Sequence, residues 1–529
     1  MTSTFHSIET ARRSLAAQTT ALNTTGHNIA NANTEGYSRQ TVKMQASRPI
    51  EAYGMNRSNA PGQLGTGVEV TSINRIREQF LDSQYRNENS ANGGWSIRSN
   101  TLEKLQAIIN EPSETGIRTV LDNFWKSWSD LSKNPEDPTG RKIVVQTAQA
   151  LTDGLNHMSR QIDSLENDLA TSVGLKAQEI NGYLSSISDL NKSITRIEGL
   201  GDNANDLRDQ RDLLVDKLSK IININVVETD QGYNISMGAN QTLLVGAEPV
   251  AVNVDSEFLN AAFDSGSLNS GEVYGMIYSG RNYITDYRNQ LNQLANTIAN
   301  GETEVTIPKG SNLPQGVTFS EDVEIMLNGT VSTLPAGQPF PDGAALNQDA
   351  KMIVNGFNGL HQLGYTMDGT ANPGKPFFVS DSSAGTIRLN PEIAANPSLI
   401  ATSLRVDGTG TGKHVISGNN SLTILLAGMK DSIVKSTQSG QQGTIGSLFN
   451  SMVGQLGVEA QDVMRQVDNS TTLVEQVDNF RQSVSGVSLD EEMSNMIMFQ
   501  HAYGASARFM TTFDQLLDKL INSTGVVGR

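Results

Sequence analysis

The chain has 529 residues, more than one hydrophobic core usually supports, so several domains are predicted. Its formal net charge of −17 argues against nucleic acid as a partner, because nucleic-acid binding depends on Lys and Arg that neutralise phosphates. The charge also disfavours anionic membrane surfaces, and the absence of an apolar run of about 18 residues predicts no membrane insertion.

The first residues and the cysteine content bear on where the protein works. The segment Met1–Ser7 lacks the basic region and apolar core of a Sec-type signal peptide. The chain contains no cysteine, which is typical of a protein that works outside the reducing cytosol but also arises by chance. Both interpretations stay open here. An extracellular protein of this kind would need an export route without a cleaved signal peptide.

An N-terminal helix is predicted from apolar residues that recur every seven positions. Each heptad of a packed helix has a second apolar position beside the stripe. Phe5 occupies the first of these second positions, but the residues at the later ones are polar or glycine. So thin a seam leaves a helix marginal in water, and we therefore expect the helix to pack against a partner. The stripe consists of Met1, Ile8, Leu15, Leu22 and Ile29.

A polar turn is predicted to end this helix within residues 26–40, which read GHNIANANTEGYSRQ. Asn31, Asn33 and Gly36 tolerate turn and left-handed backbone conformations. Thr34 can form local side-chain hydrogen bonds that compete with the helix. The helix is therefore expected to stop at this motif.

The interior of the chain is predicted to be mainly helical, because apolar residues recur there at steps of three and four. A glycine-containing linker around Gly62, Gly65 and Gly67 precedes this part. The predicted helical regions are 70–222, 283–300, 352–363 and 420–484.

Two stretches with alternating apolar residues and turn residues predict strands instead. One begins at Ile221 and the other spans about 376–417, and we expect them to form one sheet region because neither is large enough to be stable alone. A third stretch, 301–349, is rich in Gly and Pro and interrupts what would be one helix from Leu291 to Gly359. It is predicted to be a small inserted β module.

A C-terminal helix with two apolar stripes is predicted to have two neighbours, since one partner covers little more than 100° of a helix. A buried core helix gives the same periodicity, and that alternative stays open. The first stripe consists of Leu489, Met493, Met496, Tyr503, Ala507, Met510, Leu517 and Ile521. The second stripe consists of Phe499, Ala502, Phe509, Phe513, Leu516 and Leu520.

Residues that could carry chemistry are few, and none forms a pattern typical of an active site. The six histidines are scattered, without the spacing of a zinc site. The segment Gly408–His414 imitates a phosphate loop, but Asp407 replaces its first glycine and His414 its Ser or Thr. The pair Glu491–Glu492 is interpreted as helix-start chemistry, with Ser488 and Glu491 forming a capping box. No catalytic residue, cofactor or metal is predicted.

The two terminal motifs together resemble the signatures of the flagellar rod, hook and hook-associated axial proteins. The run NIANANTEGYSRQ resembles the N-terminal signature of this family. The run SGVSLDEEM at 485–493, followed by Gln500, Tyr503 and Ala505–Arg508, resembles its C-terminal signature. In the interior, DLRDQRD at 206–212 and NPSLIA at 396–401 are similar to family members that join the hook to the filament. The resemblance does not extend to about 301–349.

The resemblance implies a nested fold that is mixed but mainly α. Its terminal helices would form a coiled-coil-like layer, followed by a long helical bundle and inserted β-rich outer domains. The implied assembly domain is 1–60 with 485–529, and the helical body is 61–221, 277–300, 350–370 and 418–484. The β-rich outer domain is 222–276 with 371–417, and the small β insertion is 301–349.

The resemblance also implies a structural, non-enzymatic subunit of the extracellular flagellum, exported by the flagellar type III route. Its expected partners are copies of itself in a tubular lattice, the hook protein, a second hook-filament junction protein and an export chaperone on the C-terminal helix. Alternatives are a hook or distal-rod protein, or an axial protein with an adhesin or hydrolase module. The expected assembly residues are Phe5 and the residues of the apolar stripes other than Met1, Ala502, Leu516 and Ile521, together with Asn31, Asn33, Thr34, Gly36, Tyr37 and Arg39.

Overall fold

The structure of the protein is a computed structural model that divides into two compact units. Unit 1 comprises Met1–Ser96, Ser172–Gly275 and Gln466–Arg529, and unit 2 comprises Ile97–Thr171 and Met276–Arg465. The described residues are 5–49, 65–109, 116–238, 241–248, 250, 252–367, 371–379, 383–408, 412–437 and 440–523. Met1, Gly62, the predicted boundary at residue 60 and much of the segment resembling a phosphate loop lie outside them.

Helices make up most of the described chain, which confirms the predicted fold class of a mainly α protein with inserted β regions. In the part that the structure describes, no helix is both long enough and apolar enough to cross a membrane. The helices are α1 (Phe5–Ala30), α2 (Gln79–Ile109), α3 (Ile117–Leu131), α4 (Pro138–Glu198), α5 (Asn205–Ile221), α6 (Ser256–Asp264), α7 (Glu272–Tyr278), α8 (Thr285–Asn300), α9 (Gly356–Gln362), α10 (Pro391–Ala395), α11 (Ser421–Gly428), α12 (Ile445–Ser485) and α13 (Leu489–Ser523).

The strands are short and pair antiparallel in several small sheets. They are β1 (Gln40–Ala46), β2 (Val68–Arg75), β3 (Asn225–Thr229), β4 (Gly232–Met237), β5 (Gln241–Leu244), β6 (Glu302–Ile307), β7 (Val323–Leu327), β8 (Thr330–Leu334), β9 (Ala345–Leu346), β10 (Ala350–Asn355), β11 (Phe378–Val379), β12 (Arg388–Leu389), β13 (Val406–Asp407), β14 (His414–Val415), β15 (Val434–Lys435) and β16 (Gln442–Gly443).

Unit 1 contains both terminal helices, which pack against each other along their lengths. The hairpin of β1 and β2 packs on α1, and its register runs from Gln40↔Arg75 to Ala46↔Val68. Residues 70–75 thus form a strand where the sequence analysis began a helix. The strands β3, β4 and β5 form a separate three-stranded sheet.

Unit 2 is built around a cluster of aromatic side chains. Helix α3 carries Phe124 and Trp128 one turn apart on its apolar face, and both are fully buried. Their rings lie 5.4 Å and 5.2 Å from the ring of Phe357 on α9. The ring of Phe377 lies 5.0 Å from Phe357 and completes the cluster. Large buried rings of this kind dominate the stability of a core.

The insertion begins and ends on neighbouring strands of unit 2. Strand β6 pairs with β10 from Glu302↔Asn355 to Ile307↔Ala350, in a four-stranded sheet of order β10-β6-β15-β16. Between them, β8, β7 and β9 form a small sheet of that order. Residues 352–355 were predicted as helix but belong to β10, where buried and exposed side chains alternate with a period of two.

Two other expectations differ from the structure. The β regions 222–276 and 371–417, grouped in one outer domain, form separate sheets, because β3–β5 pair among themselves and β11–β14 form two-stranded ladders. The segment between α11 and α12 was predicted as helix, but β15 pairs with β6 there and a glycine turn follows. The remaining domain division stays a prediction.

Candidate assembly interface

Helix α1 packs on α13 through small side chains. The hydroxyl oxygens of Ser14 and Ser506 lie 2.7 Å apart. Ala11, Ala17 and Ala21 are buried on α1. Small side chains let two helices approach closely, and α1 therefore contributes little apolar area to the seam.

The predicted apolar stripe of α1 lies beside this buried face. Ile8, Leu15, Leu22 and Ile29 are only half-buried, and Phe5 is exposed. The buried face of α1 is therefore rotated around the helix axis, by about one residue, from the face that carries the predicted heptad stripe. The largest apolar side chains of α1 keep surface that a further partner could cover.

Each predicted stripe of α13 contains both half-buried and exposed side chains, so neither stripe as a whole faces α1, and the second neighbour stays a prediction. The half-buried side chains are Met496, Phe499, Ala502, Ala507, Met510, Phe513 and Leu517. The exposed side chains are Leu489, Met493, Tyr503, Phe509, Leu516, Leu520 and Ile521.

The turn that follows α1 ends the helix where the sequence predicted. The backbone N–H of Asn31 donates to the carbonyl of His27, and the Thr34 hydroxyl donates to the Asn31 side chain at 3.2 Å. Gly36 has a φ of +79°, which few other residues adopt. A Cβ at this position would meet the Leu213 side chain of α5 at 3.1 Å, so packing also favours glycine. Asn33 is exposed at the tip of the turn.

The side chain of Asn28 organises the chain after this turn. Its Nδ2 donates to the carbonyl of Gln40 at 2.9 Å and to Oε2 of Glu492 at 3.0 Å. Its Oδ1 accepts from the Tyr37 hydroxyl at 2.8 Å and from the Gln40 N–H at 3.0 Å. Burial, with the nearby carboxylates of Asp206, Asp209 and Glu492, raises the pKa of Tyr37. Tyr37 therefore acts as a neutral donor.

Arg39 joins the N-terminal signature to the start of α13. Its Nε donates to Oε1 of Glu492 at 2.8 Å, and its Nη1 donates to Oε2 of Glu491 at 2.7 Å. The Glu492 side chain is only 2% exposed, whereas that of Glu491 is 62% exposed. The Arg39 N–H also donates to the carbonyl of Ser485 at 2.8 Å. The two signatures thus bind each other directly.

The predicted capping box at the start of α13 takes a different form. The Glu491 N–H lies 3.5 Å from the Ser488 hydroxyl, at the limit of a hydrogen bond. The Glu491 carboxylate pairs with Arg39, because the ion pair across the turn offers it a charged donor.

Helix α5 connects the same signature to the rest of unit 1. Oδ2 of Asp209 accepts from the Ser38 N–H at 2.8 Å, and Oδ1 accepts from Arg75 at 2.9 Å. One turn further, fully buried Asp212 accepts from Arg75 at 2.6 Å and from the Tyr233 hydroxyl at 2.6 Å. Arg86 also donates, at 3.3 Å, to the Asp212 Oδ1 that accepts from Tyr233, whereas Arg75 binds Oδ2.

Opposite charges determine the ionisation of this cluster. Burial alone would raise the pKa of Asp212, but Arg77, Arg75 and Arg86 together hold it well below its usual value. Burial and the Asp212 charge raise the pKa of Tyr233 to about 12. The cluster is therefore a fixed network of ions, and its aspartates and arginines are already paired with one another.

The DLRDQRD motif was recognised in the sequence, but its arginine partners were not predicted. Asp209, Asp212 and Asp216 are spaced by three and four residues, which places them on one face of a helix. An acidic face at that spacing signals a partner surface of opposite charge. Asp216 indeed pairs with Arg86 at 2.8 Å and with Arg481 at 2.5 Å.

Comparison with known proteins gives three stretches that match family models. "Flagellar hook-associated protein FlgK helical domain" matches residues 102–305. "Flagellar basal body rod FlgEFG protein C-terminal" matches residues 481–523, and "Flagella basal body rod protein" matches residues 8–37. The last two stretches contain most of the two terminal signatures.

The chain is 34% identical over 543 residues to flagellar hook-associated protein 1 of Bacillus subtilis strain 168, with 100% of both chains covered. It is 26% identical over 568 residues to flagellar hook-associated protein 1 of Salmonella typhimurium, covering 97% of this chain and 99% of the relative.

Among solved structures, the flagellar hook junction protein FlgK from Burkholderia pseudomallei is similar at a TM-score of 0.52 and 16% sequence identity. The match covers 76% of this chain and 100% of that one, and at this identity it shows a shared fold. The resemblance seen in the signature residues is confirmed: the chain belongs to the flagellar hook-associated protein 1 family of structural flagellar proteins.

Proposed function

We propose that this protein is the subunit that joins the flagellar hook to the filament and that it polymerises through α1 and α13. The observation that supports this most is the set of exposed apolar side chains along α13. They extend from Leu489 to Ile521 on a helix about 50 Å long, and they flank its half-buried face on two sides, one around Leu489 and the other around Leu516. Exposed apolar side chains repeated along a helix are typical of a surface that further proteins cover.

This geometry, together with the family resemblance, supports the following partners. Copies of the chain would cover each other's exposed sides of α13 in a tubular lattice. The hook protein would lie on one side of this layer and a second hook-filament junction protein on the other. The seam between α1 and α13 supports an assembly in which neighbours supply further apolar contact, because α1 buries mainly small residues there.

The pairs of Arg39 and Asn28 with Glu492 give the signature residues a role in this assembly. These contacts attach one end of the α1–α13 pair to the rest of unit 1. When α1 and α13 are packed in the assembly, the position of the rest of unit 1 is therefore fixed as well. We propose Asn31, Asn33, Thr34, Gly36, Tyr37 and Arg39 as residues that shape this connection, and the apolar residues of α1 and α13 as the contact with neighbours.

We further propose a purely structural role and export by the flagellar type III route. The buried carboxylates of unit 1 support the first point, because their ion pairs leave no free acid or base for catalysis at that cluster. A chaperone that covers α13 before export would protect the exposed Met493, Phe509 and Leu520 side chains from aggregation.

Two adjacent leucines of α13 test the proposal. Leu516 is 49% exposed, whereas Leu517 is half-buried on the side of α1. Leu516→Asp should leave the thermal unfolding of the purified monomer unchanged but reduce its attachment to isolated hooks, because a carboxylate would then lie in the contact between copies. Leu517→Asp should instead weaken the α1–α13 pair, seen as faster hydrogen exchange of α1.

The amount of each variant in the culture medium separates export from assembly. Leu516→Ala is the matched control, since it shortens the side chain without adding charge. If Leu516→Asp is secreted normally and still joins hook to filament, the exposed flank of α13 around Leu516 is not the contact between copies.

A further inference from the structure

The small sheet of the insertion has an open edge. Its order is β8-β7-β9, so β8 lies at one side, and it pairs with β7 alone in the described chain. Residues 330–333 of β8 are exposed. Natural edge strands are usually protected by charged side chains, proline or a covering element, and the sequence of β8, TVSTL, contains no charge or proline.

The register shows which backbone groups of β8 point outward. Leu327 and Thr330 flank the two-residue turn Asn328–Gly329, where φ is +50° and +77°. The residues that flank such a turn form a hydrogen-bonded pair, and pairs alternate along the ladder. Val331 and Thr333 therefore belong to non-hydrogen-bonded pairs, and their N–H and C=O groups face away from β7.

The side chains around this edge are apolar and acidic. Val331 is 52% exposed, and Met326, directly opposite it on β7, is 42% exposed. Residues 310–346 contain four acidic residues and no Lys, Arg or His. The acidic residues are Glu321, Asp322, Glu324 and Asp342. Asp342 is already paired with Lys413 at 2.8 Å, so Glu321, Asp322 and Glu324 carry the negative charge beside the edge.

We infer that the free edge of β8 binds an extended, positively charged polypeptide segment as an added strand. The outward N–H and C=O groups of Val331 and Thr333 would supply the backbone hydrogen bonds of strand addition. The apolar pair Met326–Val331 would contact an apolar side chain of the segment, and the surrounding carboxylates favour Lys and Arg beside it. A second copy of this acidic insertion would be repelled, so the edge fits a partner of opposite charge.

Fluorescence anisotropy with the full-length chain tests this inference. The probe is a labelled peptide of sequence KTKVTVKTK, and its counterpart carries Glu in place of every Lys. Val331→Pro removes an outward N–H and leaves the inward hydrogen bonds of β8 to β7 in place. We expect this variant and the acidic peptide each to weaken binding by about tenfold or more, as expected for the loss of one or two hydrogen bonds or of charge complementarity.

Val331→Thr is the matched control, because it retains the backbone N–H and should bind the basic peptide nearly as the unchanged chain does. Equal thermal unfolding of the variants shows that the hairpin still folds. Bound peptide should slow hydrogen exchange within residues 330–334. Equal binding by Val331→Pro, equal binding of the acidic peptide, or protection confined to other segments would each overturn the inference. Hook attachment should be unaffected, since the edge lies outside α1 and α13.

Discussion

Replacing Glu492 by Gln tests whether the two terminal signatures hold each other. The two oxygens of Glu492 each accept one hydrogen bond, Oε1 from Arg39 and Oε2 from Asn28. A glutamine has one oxygen and one amide NH₂, so one of these donors would face another donor. The change keeps the size of the side chain and removes only its charge and one acceptor.

The expected loss follows from burial. Hydrogen bonds to a charged group contribute about 1.5–3 kcal/mol, and a donor left unsatisfied in a buried site adds a penalty. Because Glu492 is 2% exposed, we expect local opening around it to become easier by about 2–3 kcal/mol. Glu491→Gln is the matched control. It also removes a carboxylate from Arg39, but at a 62% exposed position, where such pairs contribute about 0–1 kcal/mol.

Hydrogen exchange measured by mass spectrometry gives the comparison directly. In Glu492→Gln, the amides of residues 28–40 and of the first turns of α13 should exchange roughly 30- to 160-fold faster, whereas Glu491→Gln should change them by less than about fivefold. Thermal unfolding of unit 2 serves as an internal reference. Equal acceleration in both variants, or none in Glu492→Gln, would refute the role given to the buried carboxylate.

Three further predictions concern other parts of the molecule. Asp212→Asn should lower the stability of unit 1 by about 3–5 kcal/mol in thermal unfolding, because buried arginines lose their counter-charge, while exposed Asp206→Asn should not. Burial lowers the pKa of His361 to about 4, so the unfolded chain binds a proton that the folded chain does not between about pH 6.5 and 4. Unit 2 should therefore lose about 3 kcal/mol as pH falls through this window, and His361→Gln should abolish the dependence. Replacing 308–349 by Asn-Gly, which joins β6 to β10 as a hairpin, should leave export and hook attachment intact; loss of attachment with normal export would contradict this.

Local signals in the sequence predicted the features that short stretches determine. The end of α1 near Asn31 and Gly36 follows from residues that favour turns, wherever the rest of the chain lies. The strand β10 was missed because only a few residues alternate there and the helix of Phe357 follows at once. The buried face of α1 was also not predicted. The heptad pattern follows the largest apolar residues, whereas α1 packs on α13 through alanine and serine side chains.

The sequence patterns did not predict contacts between residues that are far apart in the chain. Arg39 and Glu492 are 453 positions apart, and nothing in either local motif names the other as its partner. The signature comparison placed both motifs in one family but could not pair their side chains. The aspartates of α5 could have been recognised as one acidic face, yet Arg75 and Arg86 are brought to that face by two separate elements.

The hydrogen bonds from Asn28 and Arg39 to Glu492 also impose an order on folding during synthesis. The N-terminal signature emerges from the ribosome hundreds of residues before its acceptor. Until α13 has been synthesised, Asn28 and Arg39 lack the Glu492 carboxylate to which they donate in the folded protein. A chain that terminates before residue 489 would lack these hydrogen bonds, and α1 would lack its helical partner α13. The fold thereby distinguishes complete chains from prematurely terminated ones, and incomplete products would remain substrates for proteases.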